Sequence, residues 1–207
     1  MSTLATVYGK IRIPTEAHKG LIDHAAKIAK DNNAKLNVTL SGAEKPLSVR
    51  EKTQHSSNIL GQKVDVKEKS SFVSHLQDLH NQGVEHLHVI AGSDRAEDYK
   101  GILERYNGKK DKSGKVPFDF KSFKVHQFGA ERKEGELPSH PTKIKNILPY
   151  TSATNVEKFA KAGDYAGFKA FYRNTPEEHV KGLYDSLRKT SESMMLGFKS
   201  WLQNNFN

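Results

Sequence analysis

The sequence predicts an α/β fold, a parallel sheet sandwiched by helices with an all-helical C-terminal extension. Three observations predict it. Through the first two-thirds of the chain, short β-rich runs alternate with segments whose apolar residues recur at helical spacing. The order strand–helix–strand–helix–strand implies parallel strands joined by right-handed crossovers. Beyond about residue 150 only helical spacing remains.

The elements follow in order. Thr3 to Tyr8 is β-rich and ends at Gly9. After Pro14-Thr15, the segment from His18 to Lys30 places Leu21, Ile22, Ala25, Ile28 and Ala29 on one helical face. Lys35 to Leu40 alternates polar and apolar, as a half-buried strand does. Ser48-Val49-Arg50-Glu51 fits a capping box, in which hydroxyl and carboxylate satisfy free amides at the start of a helix that Gly61 stops. Val64 to Val66 reads as a short strand, and Phe72, Val73, Leu76 and Leu79 stripe a helix that Gly83 ends. Leu87 to Ala91 is an apolar strand followed at once by Gly92-Ser93-Asp94-Arg95 and a helix near Ala96 to Tyr106. Lys109 to Lys115 is a polar loop or hairpin tip, and Phe118 to Phe128 has the alternation of a further strand.

Gly129 to Tyr150 is punctuated by Pro and Gly and reads as a long loop. Val156, Phe159 and Ala160 begin the helical region, and Tyr165, Phe168, Phe171 and Tyr172 continue an aromatic face that reads as packing rather than as a base-stacking platform. Thr175-Pro176-Glu177-Glu178 predicts a helix start with Thr as the cap and Pro at the first helical position. Val180, Leu183, Tyr184 and Leu187 form its stripe, and Met194, Met195, Phe198, Trp201 and Leu202 close the chain as an apolar face. That face has two readings, a tail packed on the domain and a contact for a homo-oligomer or protein assembly. The expected division is a sheet domain over residues 1–150 and a helical segment over 151–207 packed on it.

Composition narrows the function classes. The 207 residues include 33 Lys and Arg against 24 Asp and Glu, a formal charge of +9. This favours anionic partners such as nucleotide, phosphate or nucleic acid, although a solvated Lys-rich surface is the simpler account. Nucleic acid lacks further support, with neither a reading helix nor an aromatic–basic sheet motif. The absence of Cys excludes a disulfide scaffold, a Cys-based zinc site and a thiol nucleophile. No apolar run approaches the roughly 18–20 residues that cross a bilayer, and the first residues carry no leader pattern, so a cytoplasmic protein without membrane contact is expected.

In α/β sheets of this kind ligands sit beyond the carboxyl ends of the strands, where Gly9–His18 and Gly92–Arg95 both fall. A helix beginning near Thr15 presents free amides and a positive dipole end, which suits a phosphate. Thr15 and His18 lie three residues apart across that turn, and their bland alternative is a cap and a solvated ring. His86 and His88 alternate on one strand and could share a face, but with no third ligand in the sequence no metal site is assigned. His75 and His80 do not share a helical face well, and Glu131 to Glu136 reads as solvated loop charge.

The run Gly9-Lys10-Ile11-Arg12-Ile13-Pro14-Thr15-Glu16-Ala17-His18 resembles the T-x-G-H version of the H-x-G-H signature of the cytidylyltransferase-like nucleotidyltransferase superfamily. Phage-encoded members of that superfamily read close to G-R-F-N-P-P-T-x-G-H. Further blocks follow in the same order. Leu40-Ser41 with Lys45-Pro46-Leu47-Ser48 and Lys52 resembles L-S…N-P-L-S…K. Val89-Ile90-Ala91-Gly92-Ser93-Asp94-Arg95 resembles V-V-G-S-D-R, and Tyr106-Asn107-Gly108-Lys109 the trailing Y-N-G-K. Gly129-Ala130-Glu131-Arg132 resembles A-G-E-R, and Ser152-Ala153-Thr154 with Gly163-Asp164 and Phe168-Lys169 resembles S-x-T-K-x-R…G-D…F-K. The similarity spans roughly residues 4 to 190.

The resemblance implies a Rossmann-like fold and transfer of a nucleoside monophosphate from a nucleoside triphosphate to a small phosphorylated or hydroxylated acceptor. Pyrophosphate leaves, and Mg²⁺ accompanies the triphosphate. It also implies roles: His18 and Thr15 on the phosphates, Lys52 and Arg95 as charge clamps, Gly9, Gly92 and Asp94 lining the nucleotide pocket, and Ser152 and Thr154 on the β- and γ-phosphates. If the gene is a phage's, the location is host cytoplasm or virion.

The departures point the other way. Ala17 replaces the motif Gly, Ile13 a Pro, Arg12 an Asn and Lys45 an Asn. Glu157 stands at the position of the S-x-T-x-x-R arginine, so a carboxylate is expected to face the leaving pyrophosphate unless Lys158, Lys52 or Arg12 compensates. These departures motivate a second expectation, a catalytically degenerate relative that serves as a nucleotide-binding or structural component.

Overall fold

Five parallel strands form one sheet in the order β3-β2-β1-β4-β5, with β1 (Thr3–Gly9) at its middle and its residues from Ala5 to Tyr8 buried. The others are β2 (Lys35–Ser41), β3 (Asp65–Lys67), β4 (His86–Gly92) and β5 (Ser122–Phe128). The helices are α1 (Glu16–Asp31), α2 (Val49–Leu60), α3 (Phe72–Asn81), α4 (Ala96–Tyr106), α5 (Ala153–Lys161), α6 (Tyr165–Lys169) and α7 (Glu177–Phe206). The arrangement is α/β and Rossmann-like, with a helical C-terminal region, as the alternation predicts. This computed structural model describes residues 2–42, 46–67, 70–129 and 137–206, apart from the side chains of 194, 197–200 and 202–206. Lys45, Ala130–Glu136 and the side chains of Met194, Phe198 and Leu202 therefore lie outside the described residues.

The chain divides into two compact units. Met1–Ile11, His18–Ala43 and Gln62–Arg132 make one; Arg12–Ala17, Glu44–Gly61 and Lys133–Asn207 make the other. The second unit thus takes two segments from the N-terminal half.

In the first unit, one sheet face carries Leu87, Val89 and Ala91 of β4 against Leu76 and Leu79 of α3 and Tyr99 and Leu103 of α4. Burying these side chains supplies most of its stability, at roughly 1.5–3 kcal/mol for each large apolar residue. Within α1 the predicted stripe holds, with Ile22, Ala25, Ile28 and Ala29 buried. Gly20 and His24 of the same helix lie against Phe128 at the end of β5.

A polar chain crosses the interior beneath β1. Thr6 Oγ1 donates to Asn37 Oδ1 at 3.1 Å, and Thr39 Oγ1 donates to the same oxygen at 3.0 Å. With its proton spent there, Thr6 can only accept from His75, whose Nε2 lies 2.9 Å away. The His75 ring is therefore the neutral Nε2–H tautomer, stacked on Tyr8 at 5.0 Å, and its buried Nδ1 has no hydrogen-bond partner among the described residues. Burial pushes its pKa down from 6.5 to about 4.

In the second unit, Ser48 and Glu51 form the predicted capping box, the Ser48 amide donating to Glu51 Oε2 at 3.0 Å and the Glu51 amide to Ser48 Oγ at 3.3 Å. The aromatic face is packing, as read: Phe168, Phe171 and Tyr172 are buried, and Phe168 meets Tyr172 and Tyr184 at 5.1 and 5.2 Å between centroids.

Two local expectations need correction. Phe118 to Lys121 lies outside β5: Phe118 makes an isolated bridge with Asn107, whose side chain accepts from the Phe120 amide at 2.8 Å and donates to its carbonyl at 3.0 Å. The last helix begins at Glu177, and Thr175 does not cap it; its hydroxyl goes to Glu16 instead.

Candidate functional site

The first unit brings two predicted turns to one place. Val7 of β1 pairs with Ile90 of β4, and at the same offset the two strands end level with each other at Gly9 and Gly92. The strand order reverses between these neighbours, since β2 and β3 lie on one side and β5 on the other. That point in an open parallel sheet is where the connections part and leave a crevice beyond the carboxyl ends. Open space lies where a Gly9 Cβ would project. At Gly92 a Cβ would fall 2.7 Å from Asp94 Oδ1, so the Asp94 carboxylate folds back over the strand end.

The strand end is held from beneath. Tyr99 of α4 donates to the Tyr8 carbonyl at 3.1 Å, and burial drives its pKa up to about 12, so the phenol remains a donor. Tyr8 in turn donates to the Ser70 carbonyl at 2.5 Å. His18 is half-buried in the first turn of α1. Arg95 points along its own helix to Asp98 at 3.6 Å, with 64% of its side chain exposed, and the Arg95 amide closes the turn onto the Gly92 carbonyl at 3.0 Å.

The second unit contains the rest of the turn after β1, and it is tied down at three points. Arg12 Nη2 donates to Glu157 Oε2 at 2.5 Å. Tyr172 donates to the Pro14 carbonyl at 2.8 Å. Glu16, though an acid at a helix start, is buried, with its carboxylate accepting from the Asn174 amide and, at 3.2 Å, from the Asn174 side chain. Thr15 is buried immediately before α1, and Lys52 is buried within α2 at 1% exposure. Ser152 caps α5, accepting from the Asn155 amide at 3.1 Å, and leaves its own hydroxyl proton free for another acceptor. Thr154 is exposed in the first turn of that helix.

The carboxylate of Glu157 is neutralised as one of the alternatives required. Its second oxygen takes Lys161 Nζ at 2.8 Å, so one carboxylate sits between two cations while Arg12 Nε stays buried without a hydrogen-bond partner among the described residues. Lys161, one helical turn beyond Glu157, was not foreseen, although i,i+4 spacing signals it. Tyr172 and Glu16 were also missed as anchors, because their partners are 158 residues away in sequence.

A cleft of about 410 Å³ beside α4 and β5, bordered by Glu97, Lys100, Glu104 and Phe123, contains none of the predicted site residues. Among the described residues no cluster of three or more His, Asp or Glu could hold a metal ion, and no helix is long and apolar enough to cross a membrane.

No family model matches the chain, and no curated protein matches it. A macrolide-efflux protein from Streptococcus pneumoniae is similar in backbone, with 12% identity and a TM-score of 0.40 over 81% of this chain. The chain spans 55% of that protein.

Proposed function

We propose that the chain binds a nucleoside triphosphate at the ends of β1 and β4 and transfers its nucleoside monophosphate to a small phosphorylated or hydroxylated acceptor. The observation that carries this reading is the level ending of β1 and β4 at Gly9 and Gly92, where the strand order reverses. It supports the resemblance drawn from the sequence, because the two most specific blocks of that resemblance are the turns leaving these two glycines. In this reading the acceptor oxygen attacks the α-phosphorus as pyrophosphate departs. No covalent enzyme intermediate is needed, and catalysis is positioning plus charge stabilisation.

In this reading His18, half-buried in the first turn of α1, donates to phosphate oxygens, while the phosphate roles of Thr15, Ser152 and Thr154 are those the sequence resemblance implies. Arg12 supplies a guanidinium from the turn itself, held by Glu157, in place of one from α5. Lys52, being buried, acts in this reading as a fixed background charge. Mg²⁺ supplies charge neutralisation of the triphosphate. The exposed carboxylate of Asp94 is the group in this chain that would hold an ion arriving with its nucleotide.

The test is pyrophosphate release by the purified chain with Mg²⁺, each nucleoside triphosphate in turn and a panel of phosphorylated acceptors. His18→Ala should lower the rate by 10²–10³-fold, as loss of one charge-stabilising donor does. Absence of release with every pair overturns the transferase reading.

A second reading, a relative that binds nucleotide or a protein partner without catalysis, is favoured by the Arg12–Glu157 pair, which already engages the guanidinium. Nucleotide binding by the parent without pyrophosphate release, together with activity gained in Ala17→Gly/Glu157→Arg, would support it.

A further inference from the structure

Outside that crevice, the first unit carries imidazoles on one face of its sheet. The register pairs His86 with Ser122, His88 with Lys124 and Ile90 with His126, which puts these six side chains on the same face of β4 and β5. Two of the rings meet: His88 Nδ1 lies 3.0 Å from His126 Nε2, with the ring centroids 5.2 Å apart and the planes inclined by 25°. His86 is engaged separately, its Nδ1 being 2.8 Å from Ser122 Oγ. His24 of α1 stacks on Phe128 at 4.8 Å, also at this end of β5.

We propose that His88 and His126 form a two-imidazole site for a divalent transition-metal ion of the zinc or copper class, completed by water, that staples β5 to β4. Two nitrogens bound at about 2.0–2.1 Å to one ion stand roughly 2.9–3.4 Å apart at coordination angles near 90–110°. The observed separation lies in that interval, and a tilt of each ring away from its head-on N–H···N line would turn both lone pairs onto one ion. Both rings are half-buried, so solvent and an ion reach them, while the two strands fix their spacing without help from a loop.

In the resting pair one ring donates its N–H to the other. An ion bound at both facing nitrogens moves that proton to the far nitrogen of the same ring, with no change in net ring charge. Imidazole without carboxylate selects zinc, copper or nickel and leaves Mg²⁺ in water. Lys124 lies beside the pair on β5, and being exposed it can turn into solvent.

This site is independent of nucleotide chemistry, and its test needs no activity. Zn²⁺ is titrated calorimetrically into the untagged full chain, since the ten native histidines are background enough. One ion per chain is expected, with at least tenfold weaker binding in His88→Gln and in His126→Gln. His86→Gln and His24→Gln should change it less than threefold, and Mg²⁺ should give no heat. A parent with no saturable binding overturns the proposal, as do His88 and His126 variants that bind as tightly as the parent. Should either variant fail to fold, ring-nitrogen NMR of the parent decides. Coordination shifts at His88 Nδ1 and His126 Nε2 support the site, and shifts confined to other histidines overturn it.

Discussion

Arg12 and Glu157 lie 145 residues apart in sequence and meet at 2.5 Å, with the Glu157 side chain only 14% exposed. Each departs from the pattern that the sequence resembles, and the two departures answer each other. The Glu157 carboxylate of α5 is neutralised by a cation from the turn after β1.

Arg12→Ala leaves that carboxylate with Lys161 alone, so unfolding free energy should fall by about 1–2 kcal/mol in urea denaturation. The exchange Arg12→Glu/Glu157→Arg should recover more than half of the loss. An exchange no more stable than the single variant would show that the two residues are not coupled.

Gly92→Ala separates stability from ligand binding. The new Cβ meets only the carboxylate end of Asp94, a flexible tip that can swing away. Stability should change by less than about 1 kcal/mol, the scale of an exposed Gly–Ala exchange. Calorimetric affinity for Mg²⁺–nucleotide should drop at least tenfold, because Asp94 is displaced. Unchanged affinity would remove Asp94 from the crevice's working groups.

His75 makes the fold acid-sensitive. Unfolded, its ring takes a proton near pH 6.5; folded, only near pH 4. Between those values the unfolded chain holds more protons, so stability is full above pH 6.5 and is lost as the pH falls towards 4. The loss amounts to about 3 kcal/mol from this group. Lys67 and Asp78 act on the ring with opposite signs and only adjust the window. Urea midpoints from pH 7.5 to 4 should show this slope, and it should flatten in His75→Gln.

Tyr172→Phe removes the donor to the Pro14 carbonyl while keeping the ring's packing. A buried acceptor left unpaired costs about 1–3 kcal/mol, to be read from denaturation midpoints. If the turn carries catalysis, pyrophosphate release should fall as well. Lost stability with unchanged turnover would confine Tyr172 to a purely architectural part.

Element types and most boundaries were legible because period and capping are local properties. Ala96 to Tyr106 and the Ser48–Glu51 box show this, each being set by residues within a turn of one another. The failures have the opposite character. Phe118 to Lys121 alternates like a strand, yet its backbone is tied to Asn107, Gly108 and Glu85 outside the β5 ladder. Thr175 reads as a cap, yet its hydroxyl donates to Glu16 and the helix begins at Glu177. In the candidate site, the two strand-end glycines could be named from spacing. The burial of Lys52 and Glu16 and the tautomer of His75 could not, since each is decided by partners distant along the chain.

The three tethers of the segment after β1 have a temporal corollary. Pro14 and Glu16 leave the ribosome 158 residues ahead of Tyr172 and Asn174, which hold them. The nascent sheet can assemble while this segment is still slack, and the segment is fixed only after Tyr172 and Asn174 have emerged. Truncation anywhere before Tyr172 would accordingly yield a chain whose strands pair but whose opening loop is never drawn taut.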